Sequence, residues 1–208
     1  MKKALFFAAM TALMVSFASC EKDNQAPSKP DTGKEDNNPE PPKEEYRLLE
    51  DFEDGGMLTW TGANGCSFEL ADNPAKEDAN TSAKVGKVTA GGAQWEFTWS
   101  TYFGVKQEGD TPEYLDFSKD GYIVKVDVYS PKAGSPVYLK IEGDDVASIE
   151  IPTVKTAKAG EWETLTFDYE PYSPVDGAFR NFVILFDAGV ETAGGEVFYY
   201  DNIRLCKE

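Results

Sequence analysis

From Tyr46 onward, apolar and polar residues alternate with a period of two, the spacing at which one face of a β-strand meets a core and the other meets water. Tyr122, Val124, Val126 and Val128 share one face, with Ile123, Lys125, Asp127 and Tyr129 on the other, and Ser130-Pro131-Lys132-Ala133-Gly134 closes the segment as a turn. Val137, Leu139 and Ile141 repeat the pattern, with Tyr138, Lys140 and Glu142 opposite. The same reasoning predicts strands over 47–52, 67–70, 84–89, 94–100, 147–151, 161–168, 181–186 and 197–205. About eight to ten short strands, turn signals between them and no helical periodicity predict an all-β fold, a single β-sandwich of jelly-roll type over 46–208.

The first 45 residues follow a different pattern. Lys2 and Lys3 precede an uncharged stretch from Ala4 to Phe17, too short to span a bilayer and of the length of a secretory signal core. It ends Phe17-Ala18-Ser19-Cys20, which resembles the lipobox of bacterial lipoproteins. The resemblance implies removal of residues 1–19 and acylation of Cys20, a membrane anchor of two or three chains. Residues 21–45 are rich in proline, acids and lysine, with no Val, Ile, Leu, Met or aromatic before Tyr46. Such a segment has too little apolar area to offset the entropy of ordering it, so 20–45 is expected to be a disordered tether. Glu21-Lys22-Asp23 also resembles acidic export signals of lipoproteins in glycan-foraging Gram-negative bacteria, which implies an outer-membrane location facing the cell surface; a solvated linker is the alternative.

Composition narrows the chemistry. The chain has 208 residues, about one domain, and a net charge of −17, of which −15 falls in the predicted sandwich. A surface so acidic repels phosphate backbones, so nucleic acid is not an expected partner. Histidine is absent, which removes His-based triads, histidine bases and most catalytic zinc sites. Catalysis, if present, rests on carboxylates.

Several segments in order, Leu48-Leu49-Glu50-Asp51-Phe52-Glu53-Asp54-Gly55, Asp72-Asn73-Pro74, Asn80 to Val88, Glu161 to Asp168 and Phe198-Tyr199-Tyr200-Asp201-Asn202-Ile203-Arg204-Leu205, are similar to carbohydrate-binding modules of the galactose-binding-like jelly-roll superfamily. The resemblance covers nearly all of 46–208. It implies non-catalytic binding of polysaccharide, here on a free-standing surface lipoprotein, with co-displayed glycoside hydrolases or a glycan transporter as partners. β-Glucan-type chains are the ligands that such modules suggest.

Asp51 and Glu53 are two apart, so on a strand both leave the same side while Phe52 enters the core, and Asp201 joins them if the last strand lies beside the first. Three converging carboxylates call for a hard cation, and calcium is the candidate; solvated surface acids are the alternative. The resemblance points the same way, because many of these modules carry a structural calcium on their opening and closing strands, with Glu53 and Asp201 matching best.

Sugar rings present apolar C–H faces, so their sites combine flat aromatics with amide, carboxylate and cationic groups. Trp95, Phe97 and Trp99 share one face of a predicted strand, with Tyr102 and Phe103 following. Phe97 is expected to fill the core; Trp95, Trp99 and Tyr102 are candidate platforms, with Tyr138, Lys140 and Glu142 as the polar side of the site. Core filling and an ordinary solvated sheet face are the respective alternatives. Trp162 reads as structural and Trp60 as either. An oxidising envelope permits a disulfide between Cys66 and Cys206, with two separate buried thiols as the alternative.

Three functions compete: an anchored glycan-binding protein, a small carboxylate-dependent glycoside hydrolase, and a protein-interaction or adhesion module on the same fold. The absence of a compact Glu-x-Asp-x-x-Glu array of the kind found in jelly-roll glucanases argues against the hydrolase. The expected function is therefore binding without turnover.

Overall fold

The computed structural model describes residues 45–207 apart from Asp78 and Lys106. The signal peptide expected over 1–19, Cys20 and the tether as far as residue 44 lie outside the described residues. The alternating segments become β1 (Tyr46–Glu50), β2 (Trp60–Ala63), β3 (Ser67–Asp72), β4 (Lys84–Thr89), β5 (Phe97–Ser100), β6 (Ile123–Tyr129), β7 (Pro136–Gly143), β8 (Ile149–Lys155), β9 (Trp162–Asp168), β10 (Phe179–Phe186) and β11 (Val197–Cys206), with a short α-helix, α1 (Phe117–Asp120), and 3-10 turns at Glu53–Gly55 and Glu170–Tyr172. Strand β2 and helix α1 have no counterpart in the sequence pattern. One turn of helix is too short to show a period; it is held by the Asp116 carboxylate, which accepts from the Lys119 amide, and by burial of Phe117.

Two antiparallel sheets face each other. One has the order β3-β4-β11-β6-β9, and the other β2-β5-β10-β7-β8. Strand β11 is the long spine of the first sheet: β6 lies along one edge, while β4 pairs with its first half and β1 with its second on the opposite edge. The chain changes sheet after β1, β2, β4, β5, β6, β8, β9 and β10, which is jelly-roll connectivity.

The inward faces interlock as the alternation demands. Val124, Val126 and Val128 of β6 and Leu165 and Phe167 of β9 oppose Val137, Leu139 and Ile141 of β7 and Phe182, Ile184 and Phe186 of β10. Phe186 stacks on Phe198 across the two sheets at 4.9 Å. At one end Phe52, Trp60, Phe68 and Tyr200 form an aromatic cluster, so Trp60 belongs to the core.

In β11 the inward set changes phase, from Phe198 and Tyr200 to Ile203 and Leu205. A β-bulge between Asp201 and Arg204, with Asn202 in the left-handed region (φ 48°), supplies the extra residue. At the bulge both Asp201 and Asn202 find polar partners: Asn80 Nδ2 donates to Asp201 Oδ2 (2.8 Å) and Asn202 Nδ2 to Asp127 Oδ2 (3.0 Å).

Candidate functional site

The outer face of the second sheet carries a groove of about 410 Å³. Register places its parts. Val183 of β10 pairs with Trp99 of β5 on one side and with Lys140 of β7 on the other, and Lys140 pairs with Glu150 of β8. A row Trp99, Val183, Lys140, Glu150 thus crosses four strands. One step along, Leu185 sits beside Tyr138, and on the other side Glu142 pairs with Asn181. Phe97, Trp99, Val183 and Leu185 are the apolar lining of the groove, and Lys140, Glu142 and Glu150 the charged one.

Phe97 corrects the expectation that it fills the core. The inward residues of β5 are Thr98 and Ser100, both fully buried, and Ser100 Oγ accepts from the Phe182 amide at 3.0 Å. Phe97 therefore shares the outer face with Trp99, as its place two residues earlier requires.

Trp95 lies in the turn before β5, not on the strand. That turn is fixed from within: the buried Glu96 carboxylate accepts from the amides of Gly91 (2.9 Å) and Ala93 (2.8 Å), and Asn64 Nδ2 donates to the Trp95 carbonyl (2.9 Å). The indole is 51% exposed, and it meets Tyr138 edge to face at 6.4 Å. Beneath it runs Gly189, at φ +78°, where an added Cβ would come within 3.3 Å of the indole ring. Trp99 is 41% exposed in the groove wall. Tyr102 stands apart from this lining. The Arg180 guanidinium lies over one face of its ring, 3.6 Å from the centroid, the residue stays 40% exposed, and Arg180 is ion-paired with Asp144.

The polar side is a chain of fixed groups. Lys140 Nζ lies 2.8 Å from Glu142 and 3.8 Å from Glu150, and Asn181 Nδ2 donates to Glu142 Oε2 at 3.2 Å. Partial burial alone would raise the Glu142 carboxyl, but the hydrogen bonds from Lys140 and Asn181 and the charge of Lys140 outweigh it and hold the group below its usual range. The groove thus offers carboxylate acceptors, ammonium and amide donors, and aromatic surfaces, the set that satisfies hydroxyls while covering a C–H face.

Sequence reasoning placed Tyr138, Lys140, Glu142 and Trp99 on a sheet face, and they meet on one face. It missed Val183, Leu185, Asn181 and Glu150. The available signal was Phe182-Val183-Ile184-Leu185-Phe186, apolar on both faces in an antiparallel sheet that should have one polar face.

The acids at the chain ends are each engaged by protein donors, Glu53 and Asp201 both on the segment 80–84. Strand β1 stops at Glu50, and Phe52 takes a left-handed conformation (φ 56°), so Asp51 and Glu53 are not strand neighbours on one side. Asp51 Oδ1 accepts from the Glu53 amide (3.1 Å), Glu53 Oε1 accepts from the amides of Ala83 (2.6 Å) and Lys84 (3.0 Å), and Asp201 is buried against Asn80. Burial raises the Asp201 carboxyl to about 6, with Ser82 and Asn80 pulling it back and Asp127 adding to the rise. Among the described residues no group of three or more acidic or cysteine side chains is placed to hold a metal ion, so the calcium expectation has no converged ligand set here.

One carboxylate that sequence reasoning did not single out is the most heavily engaged. Glu50, fully buried, accepts from the amides of Asp51 (3.0 Å), Phe52 (2.9 Å), Met57 (2.8 Å) and Leu58 (2.8 Å) and from the Trp60 indole (3.2 Å). It ties the loop after β1 to β2. Trp162 is structural as expected, fully buried with its indole N–H on Asn73 Oδ1 (3.0 Å).

The disulfide expectation is corrected as well. Cys66 precedes β3, whose Ser67 is level with Thr89, itself paired with Val197 at the start of β11. Cys206 ends that strand, about nine residues or roughly 30 Å further on, while a disulfide needs Cα atoms within about 7 Å. Cys66 Sγ instead donates to the carbonyls of Ala63 (3.3 Å) and Phe97 (3.2 Å).

No protein-family model matches the chain, and no curated protein matches it. Solved structures do. A family 11 carbohydrate-binding module of a cellulosomal cellulase from Clostridium thermocellum is 13% identical, with a TM-score of 0.47 over 78% of this chain and 95% of that one. A family 22 xylan-binding domain from Paenibacillus barcinonensis is 12% identical (TM-score 0.47; 80% and 99% covered). A variant of a family 29 carbohydrate-binding module is also 12% identical (TM-score 0.49; 79% and 94% covered). Likenesses at these values transfer no residue and no ligand to this chain; the sandwich is established by its own strand order.

Proposed function

We propose that this protein binds polysaccharide without cleaving it, through the groove on the outer face of the β2-β5-β10-β7-β8 sheet. The observation that carries the reading is the composition of that groove. Apolar and aromatic side chains are kept at the surface beside a Lys140, Glu142, Glu150 and Asn181 array already locked in place, so a sugar ring is covered and its hydroxyls bonded with little reorganisation. In this reading Trp99 and Phe97 stack against the ligand, Trp95 with Tyr138 forms one end, and Lys140 and Glu142 bond hydroxyls. Tyr102, 40% exposed and with Arg180 over one face of its ring, is a boundary residue.

In this reading the groove binds and performs no acid–base chemistry. Hydrolysis of a glycoside needs one carboxyl held protonated beside a second that is ionised. Glu142 is held in the ionised form by Lys140 and Asn181. The carboxyl raised to about 6, Asp201, is fully buried in the other sheet. A lipid anchor at Cys20 and a tether over 20–45 complete the proposal: capture of β-glucan-type chains at the outer-membrane surface for co-displayed hydrolases or a transporter.

Affinity gels containing soluble glucans, mannans or xylans test the reading. Retarded migration with no release of reducing ends is the expected result. Release of reducing ends, or unretarded migration on every glycan, would overturn it.

A further inference from the structure

Resting on that reading of the groove, we propose that its ligand is an uncharged glycan chain and that the Lys140, Glu142 and Glu150 array excludes uronic-acid polymers. The lining holds one cation against two carboxylates. Lys140 is spent on both, at 2.8 Å from Glu142 and 3.8 Å from Glu150, so it has no unopposed charge to offer a ligand carboxylate. Asn181 fastens Glu142 in that position, which keeps the array from opening. Arg180, next to Asn181 in the chain, is ion-paired with Asp144 and lies over the ring of Tyr102.

The chain as a whole carries a net charge of −17. A polyuronate would bring one carboxylate per sugar into a field of its own sign, and each would lose hydration without gaining a counter-charge. Hydroxyl groups meet no such barrier. Each can donate to Glu142 or Glu150 and accept from Lys140 or Asn181 without disturbing the ion pairs.

The experiment measures retention of the purified protein, by affinity electrophoresis and calorimetry, on neutral probes (laminarin, galactomannan, xyloglucan) and on two polyuronates (polygalacturonate, alginate). Binding to at least one neutral probe is expected, changing by less than about twofold between about 50 and about 500 mM salt, with no polyuronate retention. Polyuronate binding comparable to that of the best neutral probe would overturn the inference while leaving glycan binding intact. Silence on all five probes would overturn glycan binding itself.

A second measurement uses E142Q/E150K, which leaves two cations and no carboxylate in the lining. Polygalacturonate affinity at low salt is expected to rise about tenfold or more over the parent. A variant that keeps its neutral ligand yet stays blind to polygalacturonate would show that charge does not set the selection.

Discussion

Trp95 and Tyr138 meet edge to face with ring centroids 6.4 Å apart, one from the turn before β5 and the other from near the start of β7, with Leu185 of β10 beside Tyr138. The contact joins two segments far apart in the chain and closes one end of the groove. It depends on a backbone close enough to pass under the indole, which Gly189 provides.

Replacing Trp99 by alanine removes the largest ring of the groove lining. Because the side chain is 41% exposed, folding stability should change by less than about 1 kcal/mol. Glycan affinity should fall about tenfold or more, as loss of a stacking aromatic does. Calorimetry and thermal melting on the same preparation read both.

Gly189→Ala should weaken binding through Trp95. At φ +78° an alanine costs about 1 kcal/mol of backbone strain, and its Cβ would press on the indole at 3.3 Å. Gly134→Ala is the control, since Gly134 has φ +83° with nothing within 4 Å. Both variants should lose similar stability in melting experiments. The Gly189 variant alone should lose affinity.

Asp201 predicts a pH dependence of stability. Its carboxyl is raised from an ordinary 3.8 to about 6, so the folded state binds the proton more tightly than the unfolded chain. The associated stability is present in acid and lost as pH climbs through about 6, on the order of 3 kcal/mol. Urea denaturation in metal-free buffer from about pH 4 to about pH 8 should show this decline, and Asp201→Asn, which keeps an acceptor for Asn80, should abolish it. Equal slopes for the two proteins would refute the assignment.

Glu50→Ala should be among the most damaging single changes. It leaves four backbone amides and the Trp60 indole without their acceptor inside the fold, a cost of about 3–5 kcal/mol. A large drop in the urea midpoint is expected. Glu50→Gln should be intermediate, because its amide N–H₂ faces donors where the carboxylate faced none of its own kind.

Reducing agent should not alter the melting temperature of the domain, since Cys66, before β3, is level with the start of β11 and Cys206 lies at its end. A reductant-dependent melt would contradict that placement.

The strands and their buried faces are legible in the amino-acid pattern alone, because the alternation of side chains along extended backbone is a local consequence of chain geometry. Val124, Leu139 and Tyr138 all stand where period two puts them. Even Phe97 obeys it: the spacing it shares with Trp99 prevails over the general preference for burying phenylalanine. What the sequence leaves open is everything set by register and by loops: the row from Trp99 to Glu150, the fastening of Glu142 by Asn181, the five donors around Glu50, the separation of Cys66 from Cys206, and the meeting of Glu53 and Asp201 with the segment 80–84. These join residues distant along the chain, and their positions depend on which strands become neighbours and where a bulge shifts the pairing. Tertiary structure alone decides those, because a displacement by one residue in any strand would leave the local pattern unchanged and redraw every cross-strand contact.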